Sequence, residues 1–85
     1  MSEEPLDPQF LEALRDALKH VALPEVGTLT RSQAIRDLGM DSITLVEMVI
    51  ILEENLGVTL EHSDIDNLRT IGDLQDLMRA RSQSH

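Results

Sequence analysis

Asp37-Leu38-Gly39-Met40-Asp41-Ser42-Ile43, together with the apolar run that leads from it to Leu56, decides how this chain folds. A glycine-containing loop gives way here to a helix. Asp41 and Ser42 are residue types whose side chains accept hydrogen bonds from the unpaired N–H groups of a first helical turn. Ser42 is therefore expected at a helix mouth. Taking about 100° per residue, Leu45, Val49, Leu52 and Leu56 fall on one stripe flanked by Met48 and Val46, which is enough apolar surface for a core face. Ile43, Glu47, Ile50 and Glu54 fall on the opposite side. Two isoleucines interleaved with two glutamates, on a face the core does not require, suit a surface buried only when a partner docks. The competing explanation is a helix packed on both sides by its own domain.

Working outward, Asp7-Pro8 predicts the start of a first helix, with Asp7 as cap and Pro8 at the first position, where its missing N–H costs nothing. Phe10, Leu11, Leu14, Ala17, Leu18 and Val21 continue a helical stripe to about Ala22, and Pro24 and Gly27 end it. Residues 1–6 read as a frayed arm. Between Leu23 and Met40 lies a long connection in which Thr30-Arg31-Ser32-Gln33 has the spacing of a capping box, predicting a helical turn over Arg31–Arg36. Ile35 and Leu38 should pin that connection to the core. Gly57 predicts the end of the central helix, Val58-Thr59-Leu60 an extended link, and Ser63 the cap of a single turn through Asn67. Thr70-Ile71-Gly72-Asp73 opens a last helix with Ile71, Leu74, Leu77 and Met78 buried. Arg79 and Arg81 suit its negative end, and Ser82–His85 read as a disordered tail. The expected fold is all-α: a four-helix bundle of three longer helices and one short one, occupying residues 7–81 as one domain.

With 85 residues the chain can build one modest core and has little material for a substrate cleft of its own. Phe10 is the one aromatic residue, so the core is aliphatic and stacking platforms for bases are absent. Sixteen acids against seven Lys and Arg give a formal charge of −9, which repels nucleic acid and anionic membrane surfaces. From Asp37 to Leu68 there is no Lys or Arg at all, so a negative field is expected to steer basic partners towards Ser42. The absence of cysteine removes disulfides, thiolate catalysis and Cys-based metal sites. No apolar stretch reaches membrane-spanning length and the acidic N-terminus is unlike a signal sequence, so a cytoplasmic location is expected.

Catalytic constellations are equally scarce. None of His20, His62 and His85 lies in a local motif with Ser42, and no Gly-x-Ser-x-Gly elbow is present. Asp64 and Asp66 lack the glycine and closing glutamate of a calcium loop. What remains is a serine that another protein could modify. A phosphate ester on Ser42 would sit at a helix N-terminus, where the dipole favours an anion.

The heptapeptide at 37–43, followed by Leu45-Val46-Glu47-Met48-Val49 and Leu52-Glu53-Glu54, closely resembles the phosphopantetheine attachment region of acyl carrier proteins. The likeness extends over nearly the whole chain, through the long loop and the Thr70-Ile71-Gly72-Asp73-Leu74 start of the last helix. It implies that 4′-phosphopantetheine, delivered from coenzyme A by a phosphopantetheinyl transferase, is attached to Ser42 with Asp41 as its flanking acid. It also implies that Ile43, Val46, Glu47, Ile50 and Glu54 form the surface read by partner enzymes with basic docking patches. Those partners would load an acyl or aminoacyl group onto a monomeric, non-catalytic carrier and then pass it to a synthase or transferase. Bacterial fatty acid carriers typically have an acid where this chain has Thr44 and a proline near Leu60-Glu61-His62. The start of the last helix is closer to carriers of polyketide and nonribosomal peptide assembly. Three functions follow from the sequence: such a secondary-metabolite carrier, a carrier in fatty acid synthesis or D-alanylation, or an unmodified acidic helical adaptor.

Overall fold

The computed structural model describes residues 5–21 and 27–82. Within them lie α1 (Pro8–His20), a 3₁₀ turn (Ile35–Leu38), α2 (Ser42–Leu56), α3 (His62–Asp66) and α4 (Ile71–Ser82). The architecture is the expected all-α bundle. Among the described residues no helix is long and apolar enough to cross a membrane.

Leu14 and Leu18 of α1, Met48, Val49 and Leu52 of α2, and Ile71 and Leu74 of α4 are the large side chains fully withdrawn from water. They form one aliphatic core that Phe10 closes at one side. The buried stripe of α2 is thus centred on Met48, Val49 and Leu52, while Leu45 and Leu56, expected inside, are half-buried. Helical angle fixes which way a residue faces but not whether a neighbouring helix extends far enough to cover it. Leu45 and Leu56 lie near the two ends of α2, where the covering is incomplete. Leu77 of α4 is likewise half-buried, and the buried face of that helix runs instead through Ile71, Gly72, Leu74, Gln75 and Met78.

Pro8 takes the first helical position of α1, but Asp7 does not cap with its side chain. Its backbone N–H donates to Gln75 Oε1 at 2.6 Å instead, which satisfies the one buried polar side chain of α4 and ties the start of α1 to it. Leu6, expected in a frayed arm, is only 7% exposed and belongs to the core. The helix ends at His20, two residues earlier than expected, and Ala22 and Pro24 lie outside the described residues. Ser82, expected in the tail, is the last residue of α4, with its hydroxyl donating to the Arg79 carbonyl at 2.9 Å. Residues 83–85 fall outside the described part.

The long connection departs most from expectation. Its helical turn is a 3₁₀ turn four residues later than the Thr30–Gln33 pattern implied, and residues 31–35 run as a strap along the start of α4. Gly72 N–H donates to the Arg31 carbonyl at 2.9 Å, Ile71 N–H to Gln33 at 3.0 Å, and Ile35 N–H to Arg69 at 2.9 Å. Ala34 and Thr70 thereby form an antiparallel bridge. Arg31 adds two bonds to the Asp76 carboxylate, at 3.1 and 2.8 Å. Gly72 is needed where the strap crosses, since a Cβ there would stand 3.0 Å from the Arg31 carbonyl oxygen.

The remaining junctions follow from local chemistry. Gly57 ends α2 with φ 68°, a left-handed conformation in which a side chain is strained. Glu53 then reaches forward, its Oε2 accepting the Leu60 N–H at 2.7 Å. The cap of α3 is Glu61 rather than Ser63, and Asp64 Oδ2 accepts the Glu61 N–H at 3.0 Å. Thr70 and Asp73 form the expected reciprocal box: Asp73 N–H donates to Thr70 Oγ1 at 3.1 Å and Thr70 N–H to Asp73 Oδ2 at 3.2 Å.

Candidate functional site

Gly39, with φ 83°, turns the chain out of the 3₁₀ turn, and Asp41 runs extended into α2. Asp41 is the cap. Its Oδ1 accepts the Thr44 N–H at 2.8 Å, and this bond first of all holds its carboxyl below the usual carboxylate range. A carboxylate kept ionised at this end of α2 also complements the helix dipole. Because Asp41 does the capping, Ser42, the first helical residue, is exposed and no side chain bonds its hydroxyl among the described residues. His20 is at the far end of α1 with Nδ1 against the Asp16 carbonyl at 2.9 Å, and His62 opens α3.

Beside Ser42 lies an open hollow of about 470 Å³. The 3₁₀ turn and strap supply Ala34, Ile35 and Arg36, the start of α2 supplies Met40, Asp41, Ser42 and Leu45, and the α3–α4 link supplies Leu68, Arg69 and Thr70. The half-exposure of Leu45 is thus exposure into this hollow. A chain attached to Ser42 Oγ would meet open space and an apolar surface of Ile35, Met40, Leu45 and Leu68, so the residues present fit a long flexible arm.

Among the described residues nothing covers the second face of α2. Ile43 is 71% and Ile50 46% exposed, the two exposed large hydrophobic residues among those described. Glu47 and Glu54 are exposed between them, and Val46 is half-buried at the edge. Asp64 is engaged by Arg81 at 2.7 Å. That bond, followed by the Glu61 N–H, lowers its pKa.

Two residues of the hollow escaped the sequence reading: Arg36 and Arg69. They bound the cation-free stretch 37–68 at its two ends, which was a visible signal, but only the bridge between Ala34 and Thr70 brings them to one place. The field around Ser42 is therefore not uniformly negative as expected. Arginines stand at the hollow, and Glu47 and Glu54 extend along α2 away from it.

The family model described as phosphopantetheine attachment site matches residues 8–78. An acyl carrier protein from Saccharopolyspora erythraea is 44% identical over 70 residues, covering 81% of this chain and 74% of that protein. One from Exiguobacterium sp. is 33% identical over 67 residues, covering 78% and 85%. The chloroplastic acyl carrier protein 2 of Spinacia oleracea is 32% identical over 78 residues, covering 91% of this chain, which spans 60% of the spinach protein's length. In fold, the chain is similar to the acyl carrier protein of Thermotoga maritima, with a TM-score of 0.71 at 18% identity over 89% of this chain and 93% of the other. The chain belongs to the phosphopantetheine-binding acyl carrier protein family, whose covalently attached cofactor is 4′-phosphopantetheine.

Proposed function

We propose that Ser42 carries the arm and that this protein is a non-catalytic shuttle handing an acyl or aminoacyl group between enzymes of polyketide or nonribosomal peptide assembly. The observation that carries the site is the division of labour at the start of α2: Asp41 caps the helix and leaves the Ser42 hydroxyl exposed beside an open hollow. The arm supplies a terminal thiol on which cargo is held as a thioester. The protein's own contribution is to position that attachment point and to offer partners the Ile43, Val46, Glu47, Ile50 and Glu54 face. A phosphopantetheinyl transferase and a loading enzyme would engage this face through basic patches, with the isoleucines adding desolvated contact.

The pathway reading is supported by the chain's own pattern of Thr44, Leu60-Glu61-His62 and Thr70-Ile71-Gly72-Asp73-Leu74. Incubation with coenzyme A and a broad-specificity transferase, followed by intact mass and fragment mapping, tests the site. One phosphopantetheine on Ser42 is the expected result. No adduct would favour the adaptor reading, and an adduct elsewhere would refute the assignment. Loading of the holo protein by enzymes encoded beside its gene, against loading by a fatty acid malonyl transferase, tests the pathway.

A further inference from the structure

The hollow beside Ser42 is bordered by two arginines, an unusual concentration of positive charge in a chain of net charge −9. Arg31 holds Asp76 and Arg81 holds Asp64, each by more than one hydrogen bond, and Arg15 reaches the Gly27 carbonyl, while Arg79 is not among the residues that line the hollow. The guanidinium groups of Arg36 and Arg69 have no hydrogen bond or ion pair among the described residues. Ile35 N–H donates to the Arg69 carbonyl at 2.9 Å, so the backbone bridge holds Arg69 against the residue next to Arg36.

Unpaired surface arginines are common, and alone they would be solvated charges. Here they line the same hollow as Ser42, together with the apolar Ile35, Met40, Leu45 and Leu68. A guanidinium recognises a phosphate by paired N–H donors. On the attachment reading above, on which this inference rests, the phosphodiester of the arm is bonded to Ser42 Oγ and so cannot leave that hollow. Tethering places it at an effective concentration in the millimolar range, enough for weak, partly screened pairing to be populated. Asp41 lines the same hollow and keeps its full negative charge while accepting the Thr44 N–H, so the two guanidinium charges are set against one carboxylate.

The geometry points to an oxyanion seat: Arg36 and Arg69 hold the phosphodiester of the arm and lay its pantetheine portion along the hollow. The arm of the resting holo protein is then ordered at its root rather than free in solvent.

The test uses the holo protein, with modification first verified by intact mass. The phosphorus resonance of the diester should relax as a group tumbling with the protein, its linewidth about twofold or more above that of a freely rotating one. In holo Arg36→Gln/Arg69→Gln it should narrow, with the amide spectrum unchanged away from the hollow. Raised salt should narrow it in the parent, a reading that needs no variant. Equal linewidths in parent and double variant, with no salt effect, would overturn the seat. Broadening that appears only after the thiol is loaded with a carboxylate-ended acyl group would overturn it too, by assigning the arginines to cargo. Failure to gain mass would instead refute the attachment reading, and the seat with it.

Discussion

At the residue scale the site rests on two neighbours with separate tasks. Asp41 carries the helix cap, so Asp41→Ala should lower the melting temperature by removing the acceptor of the Thr44 N–H and a favourable charge at the helix start. Ser42, whose hydroxyl is exposed and bonded by no side chain among the described residues, should tolerate replacement. Ser42→Ala is expected to abolish the phosphopantetheine adduct while changing unfolding free energy by no more than about 0.5 kcal/mol. Urea melts of both variants with mass spectra after transferase treatment make the comparison. If Ser42→Ala were as destabilised as Asp41→Ala, the hydroxyl would be structural and the assignment of tasks wrong. Gly72 poses a sharper question, because alanine normally gains about 0.5–1 kcal/mol over glycine within a helix. Its Cβ would stand 3.0 Å from the Arg31 carbonyl oxygen and 3.1 Å from Arg31 Cβ, so the strap must give by a few tenths of an ångström against the hydrogen bonds that hold it. Gly72→Ala should therefore be less stable than the parent. A variant stabilised by the full propensity gain would show that the strap is not held against α4.

At the scale of elements, α2 is the piece with two readable faces. Leu52→Ala, in the fully buried stripe, should cost roughly 2–5 kcal/mol, whereas Ile50→Ala and Glu47→Lys should each stay within about 0.5 kcal/mol. Full burial of an isoleucine is worth roughly 1.5–3 kcal/mol, of which Ile43 forgoes the larger part and Ile50 about half in the isolated chain, to be recovered when covered. Glu47→Lys should accordingly slow modification in a way that raised salt imitates in the parent, and Ile50→Ala should slow it with little salt dependence. Normal folding with parental kinetics in both would remove this face as the recognition surface. The face and its helix were legible because period 3.6 is a local property: Met48, Val49 and Leu52 on one side and Ile43, Glu47, Ile50 and Glu54 on the other follow from angle alone. Coverage was not legible, and so Leu45, Leu56 and Leu77 were placed too deep. Nor was the strap, since Thr30–Gln33 has the local signature of a helix start and only backbone pairing with Arg69, Ile71 and Gly72, far away in sequence, pulls it straight. The same non-local pairing hid Arg36 and Arg69 as neighbours of Ser42.

On the whole-molecule scale, a net charge of −9 sets self-repulsion against a few placed ion pairs, and pH separates the two. The Asp64 carboxyl is held below its usual range first by hydrogen bonding to Arg81, and the Asp76 carboxyl first by bonding to Arg31. A carboxyl whose folded pKa lies below its unfolded value of about 4 stabilises the fold fully above that unfolded value. The stabilisation is lost as pH falls through the folded pKa. The two pairs join different elements, Asp64–Arg81 fastening α3 to the end of α4 and Arg31–Asp76 fastening the strap to its middle. From pH 7 down to about 5, partial protonation of the many other acids relieves repulsion, so the melting temperature should hold or rise. Added salt at pH 7 should raise it for the same reason. Below about pH 4 it should fall, and the fall should be shallower in Asp64→Asn and Asp76→Asn, which have lost the linked proton and start from a lower plateau. Melting curves recorded across this range decide the matter: an acid limb in both variants parallel to the parent's would mean that these bridges are exposed pairs of no consequence and that the strap is held by its backbone bonds alone.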